Sequence, residues 1–172
     1  MASSKIEFDT CSFEHNTAGS GGVFIATYDS KNEVVFRNCQ FFNNTATEFG
    51  GVYYLASSST VSFSQCSFEA NQAEFAGIGY QDWSSGASFT ESCSFINNHA
   101  TEHGGSFYLD KTAFLSFQNS SFVGGYSTNG MGGVVYMGQQ ATLTASNSVF
   151  KGIFLFFFCS KFDVHFFLKK IK

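Results

Sequence analysis

Glu48, Glu74 and Glu102 stand at one position relative to a recurring glycine, three residues before Gly51, Gly77 and Gly105. If equivalent residues of successive units stack about 4.8 Å apart, such carboxylates repel one another and offer oxygen ligands to a shared Ca²⁺. These three are the candidate metal ligands; the plainer expectation is a solvated acidic edge, screened by salt. Four cysteines, Cys11, Cys39, Cys66 and Cys93, also share one register. Zinc needs converging ligands, typically from C-x-x-C pairs, and the sequence contains none. Neighbours about 4.8 Å apart are within disulfide reach. The expected state is nevertheless a ladder of buried thiols packing as small hydrophobes, because Ser120 and Ser148 continue the same column.

Two other constellations invite chemistry. His99, Glu102 and His103 would share a face on a helix, as metal-binding histidines four apart do. At a turn that spacing has no such meaning, and Thr17, Thr45 and Gln72 stand where His99 does. Asp82 and Trp83 interrupt a repeat at a place where a sugar can stack on the indole. A polysaccharide lyase or hydrolase needs carboxylates with Lys or Arg in a groove. Arg37 and Lys111 are the only basic residues between Glu33 and Phe150. No catalytic residue, cofactor site or enzymatic activity is therefore expected. Thr142 and Thr144 do not recur, so a flat ice-binding array is not expected either.

The elements that position these residues follow from a repeat. Phe13, Phe41, Phe68, Phe95, Phe122 and Phe150 are separated by 28, 27, 27, 27 and 28 residues. The cysteines or serines lie two residues before each, and Asn16, Asn44, Asn71 and Asn98 three residues after the first four. Glycine pairs ending in Gly22, Gly51, Gly105 and Gly133 follow, with Ala76-Gly77 in the third unit. A fixed period of this length signals units that bury their apolar faces only by stacking on neighbours.

Each unit reads as three extended segments. In the second these are Val34–Arg37, Cys39–Phe41 and Val52–Leu55, with a polar turn over Asn44–Glu48. No stretch has apolar residues at helical spacing. The fold class is all-β: a right-handed parallel β-helix of about five to six coils. The Phe and Cys columns are expected inside. The Asn column is expected at a corner, bonding to the next coil, and the glycines where side chains would block close approach. Either Phe24, Tyr53 and Phe107 face inward, or Tyr54, Tyr80, Tyr108 and Tyr136 do. A β-sandwich gives no reason for four residue types to recur together.

The motifs F-x-x-N and G-G-[VIS] resemble the repeats of the polymorphic outer membrane proteins of Chlamydia, also seen in protist surface proteins. The first stands as Phe13–Asn16, Phe41–Asn44, Phe68–Asn71 and Phe95–Asn98; the second begins at Gly21, Gly50, Gly104 and Gly132. The resemblance covers roughly residues 6 to 150. It implies a pectin-lyase-like right-handed β-helix displayed outside the cell for adhesion or structural display, without catalysis. The expected partner is a cell-surface protein or a glycan, and the parent protein is expected to be membrane-associated.

Charge supports part of this. Up to Phe150 there are four Lys or Arg against twelve Asp or Glu, a net of −8; from Lys151 onward five Lys stand against one Asp, a net of +4. An acidic repeat region argues against a nucleic-acid partner, which needs clustered cations. Met1–Ile6 does not read as a secretory signal. The repeat is already under way at Phe8-Asp-Thr-Cys11, which is expected of a fragment of a longer chain and leaves coils able to associate end to end. The domain reading is a repeat region over 1–150 and an aromatic, basic tail over 151–172, outside the fold or non-native. Two sequons, Asn43-Asn44-Thr45 and Asn119-Ser120-Ser121, fit an exposed extracellular surface.

Overall fold

The computed structural model describes residues 5–27 and 33–151, together with the backbone of Val164–Phe167. Its path is a parallel solenoid with four strands per coil. In the second coil these are Glu33–Arg37, Gln40–Phe42, Thr45–Ala46 and Tyr53–Leu55. Stacking gives a first sheet of seven strands, a second of six, and a third and fourth of five each. Every pairing among the described residues is parallel and joins equivalent strands of successive coils, setting Phe13 beside Phe41, Phe41 beside Phe68, Phe68 beside Phe95 and Phe95 beside Phe122. Among the described residues there is no helix long and apolar enough to cross a membrane.

The first two corners of the second coil are each made by a single residue in the left-handed region. Asn38 (φ 53°) divides the first strand of the second coil from the second, and Asn43 (φ 51°) divides the second from the third. Asparagine tolerates this conformation better than most side chains. The stretch Asn44–Glu48, expected as a turn, contains the strand Thr45–Ala46, which pairs with its counterparts in neighbouring coils. Ala46, Ala73 and Ala100 are buried there. A two-residue strand is too short to show alternation, so its sequence reads as loop.

Two phenylalanine ladders fill the core. Phe13, Phe41, Phe68, Phe95, Phe122 and Phe150 stack at centroid distances of 5.1, 4.8, 5.1, 4.3 and 4.6 Å. Phe8, Phe36, Phe63 and Phe89 form a second column at 4.9, 5.1 and 4.8 Å, continued by Phe117 at 5.3 Å. Rings of one column meet the other edge to face, as Phe36 meets Phe41 at 78° and Phe63 meets Phe68 at 82°. Both arrangements satisfy the ring quadrupole.

On the fourth sheet it is the Phe24, Tyr53 and Phe107 column that turns inward. Tyr53 is 0% exposed, whereas Tyr54, Tyr80, Tyr108 and Tyr136 are half-buried on the outer face. The interior accepts Tyr53 because the next coil carries Gly79: a side chain there would collide with the Tyr53 ring. The Tyr53 hydroxyl lies 3.0 Å from the Gln81 carboxamide. With the Gln81 oxygen turned toward that hydroxyl, its nitrogen donates to the Phe114 carbonyl at 3.2 Å. A buried hydroxyl and a buried amide thus satisfy each other.

The pairing of Val149–Lys151 with Ser121–Val123 carries the repeat to Lys151, one residue past the boundary read from the sequence. The backbone of Val164–Phe167 adds a strand to the first sheet, with Leu143 opposite Val164 and Ser146 opposite Phe167. This part of the expected tail therefore continues the solenoid. The uncharged run Gly152–Ser160 and the rest of the tail lie outside the described residues, as do Met1–Ser4.

Candidate functional site

The repeated asparagines, expected at a corner, hold the coils together. Asn71 is buried at the corner between the second and third sheets. Its Nδ2 donates to the Phe41 carbonyl of one neighbouring coil at 3.0 Å and to Asn98 Oδ1 of the other at 2.9 Å. Its Oδ1 accepts from the Asn44 backbone N–H at 3.0 Å and from Asn44 Nδ2 at 2.9 Å. Asn44 repeats the pattern with Phe13 and Asn16, and Asn98 donates to the Phe68 carbonyl at 2.9 Å. The column stops where Gly125, at φ 105°, takes the asparagine's place.

The four cysteines among the described residues, Cys11, Cys39, Cys66 and Cys93, are free thiols. Sγ of Cys39 donates to the Arg37 carbonyl at 3.1 Å and Sγ of Cys66 to the Ser64 carbonyl at 3.3 Å. Cys93 makes the same kind of bond to the Thr90 carbonyl at 3.3 Å, and Cys11 to that of Asp9 at 3.3 Å. Ser120 and Ser148 give the same bond to the carbonyls of Gln118 and Ser146, at 3.2 and 3.0 Å. What the position requires is a small buried donor. Burial pushes the Cys66 thiol up to about 12 and that of Cys93 up to about 11, and raises that of Cys39. Thiols held in this state are poor nucleophiles and poor ligands.

The glycines stand at the corner before the fourth sheet. A side chain on Gly22 would fall on the Gly51 carbonyl, one on Gly51 on that of Gly77, and one on Gly105 on that of Gly133. Coil-to-coil approach at this corner leaves room for hydrogen alone.

Glu48, Glu74 and Glu102 do rise along one corner, but they do not converge: Glu48 is exposed, while Glu74 and Glu102 are half-buried. Among the described residues no group of three His, Cys, Asp or Glu side chains is placed to hold a metal ion. Glu74 and Glu102 instead border a trough of about 370 Å³ on the outer face of the third sheet, with Gln72, His99, Thr101 and Asn129. Asn129 Nδ2 donates to Glu102 Oε1 at 3.4 Å, and Gln72 Nε2 to Thr45 Oγ1 at 3.2 Å. No signal in the sequence foretold this trough, because it depends on how side chains from four coils meet.

The two histidines point to different partners. His99 lies flat on Tyr126, with ring centroids 5.0 Å apart, and burial lowers its pKa. His103 lies on Tyr136 at 4.9 Å, and its Nδ1 accepts from the Met131 N–H at 2.9 Å. Trp83 is 56% exposed, but Lys111 Nζ sits 4.7 Å over its ring. Asp82 Oδ1 accepts from the Trp83 N–H at 2.8 Å, and Asp110 Oδ1 accepts likewise from Lys111 at 2.9 Å. A second trough, of about 230 Å³, lies on the first sheet where the Phe114 ring covers Gly86, with Glu33, Thr60, Ser62 and Ser88 along it. Neither trough is lined by Lys or Arg.

The chain resembles part of the metabotropic glutamate receptor-like protein P of Dictyostelium discoideum, with 34% identity over 110 residues. That match covers 64% of this chain and spans 8% of the receptor-like protein's length. No solved structure matches the chain. The model of the right-handed β-helix region matches residues 2–163. Period, parallel register and this match agree: the chain belongs to the right-handed β-helix family.

Proposed function

We propose that the chain is a non-enzymatic β-helix repeat region displayed at a cell surface, serving adhesion or structural display, and part of a longer, membrane-associated protein. The observation that carries this reading is the 110-residue likeness to a receptor-like protein of which the match forms only a small part. The F-x-x-N and G-G motifs support the narrower likeness to polymorphic outer membrane protein repeats. The polar, charge-poor outer columns suit a partner met over an extended surface, a surface protein or a glycan. The alternative is a carbohydrate-active enzyme. Against a lyase stands the absence of Lys and Arg from the lining of both troughs, and the Lys111 side chain covers the Trp83 face on which a sugar would stack. The first test is attachment of cells to the immobilised chain, beside the same chain scrambled in sequence. Saturable attachment is the expected result. Its absence, or release of unsaturated or reducing sugars from any polysaccharide, overturns the reading.

A further inference from the structure

The outer column of the fourth sheet sets phenols side by side. Tyr54 pairs with Tyr80, Tyr80 with Tyr108 and Tyr108 with Tyr136, each in parallel register. The rings close up along that column. Tyr54 and Tyr80 lie 5.6 Å apart and tilted by 40°, Tyr80 and Tyr108 4.7 Å apart at 9°, and Tyr108 and Tyr136 4.5 Å apart at 26°. Neighbouring rings pack on the last pair: Phe75 meets Tyr108 edge to face at 6.0 Å, and His103 lies flat against Tyr136 at 4.9 Å. The two hydroxyls are neighbours as well, since Tyr136 adds to burial in raising the Tyr108 pKa. The carbons ortho to those hydroxyls are therefore carried side by side. Both rings are half-buried, so part of each stays open to solvent. The described tyrosines outside this column are placed differently: Tyr53 is fully buried beside Gln81, and Tyr126 stacks on His99 rather than on a phenol.

The geometry points to Tyr108 and Tyr136 as an oxidative cross-linking site, at which a haem peroxidase supplied with hydrogen peroxide joins two successive coils through a dityrosine bond. One-electron oxidation takes an electron and the hydroxyl proton from each phenol and leaves a phenoxyl radical, with unpaired spin on the ortho carbons. Turning the stacked rings about their Cβ–Cγ bonds brings those edges together. A carbon–carbon bond then forms between a Cε of Tyr108 and a Cε of Tyr136. Each of these carbons gives up its hydrogen as a proton, and each oxygen takes a proton back. In all, two electrons and two protons leave the pair, and they reduce one hydrogen peroxide to two waters. Holding the partners in contact makes the coupling intramolecular, which favours it over an encounter between chains. The cross-link needs no bound ligand and stands whether or not the chain serves adhesion.

The test is exposure of the dilute, folded chain to a haem peroxidase and hydrogen peroxide, followed by isolation of the monomer and digestion with trypsin. Cleavage after Arg37, Lys111 and Lys151 leaves Tyr108 in peptide 38–111 and Tyr136 in peptide 112–151. The expected product joins these two peptides, is lighter than their sum by two hydrogens and fluoresces as dityrosine. Fragmentation places its bond at Tyr108 and Tyr136. Tyr136→Phe keeps an aromatic ring in the stack but removes the phenol, and abolishes that product. Tyr126→Phe leaves its yield unchanged, although Tyr126 is the more exposed ring of the same peptide, at 52%. The urea midpoint of the coupled chain rises, because the bond closes a loop between two coils, and that of the oxidised Tyr136→Phe chain does not. A bond confined to peptide 38–111, a bond to Tyr126, dityrosine found only between chains, or no dityrosine at all overturns the proposal.

Discussion

Two corners of the same coil solve the same problem in opposite ways. At the asparagine corner each amide bonds across coils: Asn71 reaches Phe41, Asn44 and Asn98, which belong to the two neighbouring turns. At the opposite corner the acids bond within the turn, Asp82 to the Trp83 N–H and Asp110 to the Lys111 N–H. A side chain that bridges coils must meet an identical side chain above and below, and Asn recurs four times. A side chain that closes its own turn needs only its neighbour, so this corner carries Ser57, Trp83, Lys111 and Gln139 in turn. At these two corners the recurring side chain is the amide that bonds between units, and the acids that close their own turn sit where the sequence varies.

The comparison breaks first at Asn71. Asn71→Ala removes the amide and strands buried groups of Asn44, Asn98 and Phe41, so the loss should reach roughly 3–5 kcal/mol. Urea denaturation checks it; a loss below about 0.5 kcal/mol, the size of an ordinary surface substitution, contradicts the bridging role. The buried thiols give the next effect. An exposed thiol ionises at about 8.5, whereas burial pushes Cys66 up to about 12 and Cys93 up to about 11. The unfolded chain thus loses its thiol protons first. Their contribution to stability is complete below about pH 8.5 and declines as pH rises toward the folded values. Urea midpoints at rising pH should show that decline, and Cys66→Ser with Cys93→Ser should flatten it.

Smaller changes sharpen the comparison. Cys66→Ser at neutral pH keeps the bond to the Ser64 carbonyl, as Ser120 keeps its own, and should cost less than about 1.5 kcal/mol. A larger loss would mean that the column needs sulfur. Asp82→Ala at the opposite corner should change stability by no more than about 0.5 kcal/mol in either direction. Burial and the nearby Asp110 carboxylate already raise the Asp82 pKa, so its removal also relieves repulsion.

How much of this was legible follows from the same contrast. The Phe, Cys and Asn columns recur, and the structure places each of them in one ladder. The inward column of the fourth sheet was not legible, because both candidates are aromatic. Its clue was complementarity across coils: Tyr53 beside Gly79, and Gln81 placed to meet the Tyr53 hydroxyl. The strand Thr45–Ala46 was hidden by its length, and the troughs by their dependence on side chains from several coils. The glutamate register was visible, but a shared register along a corner does not aim carboxylates at one point.

Hydrogen exchange compares the two corners within one molecule. The N–H groups of Asn44 and Asn71, donated to the Oδ1 of the next coil's asparagine at 3.0 Å, should exchange only on global unfolding. Those of Trp83 and Lys111, donated to the adjacent aspartate, should exchange by local opening, orders of magnitude faster. Equal rates at the two corners would contradict the claim that the asparagine ladder, rather than the turns, binds one coil to the next.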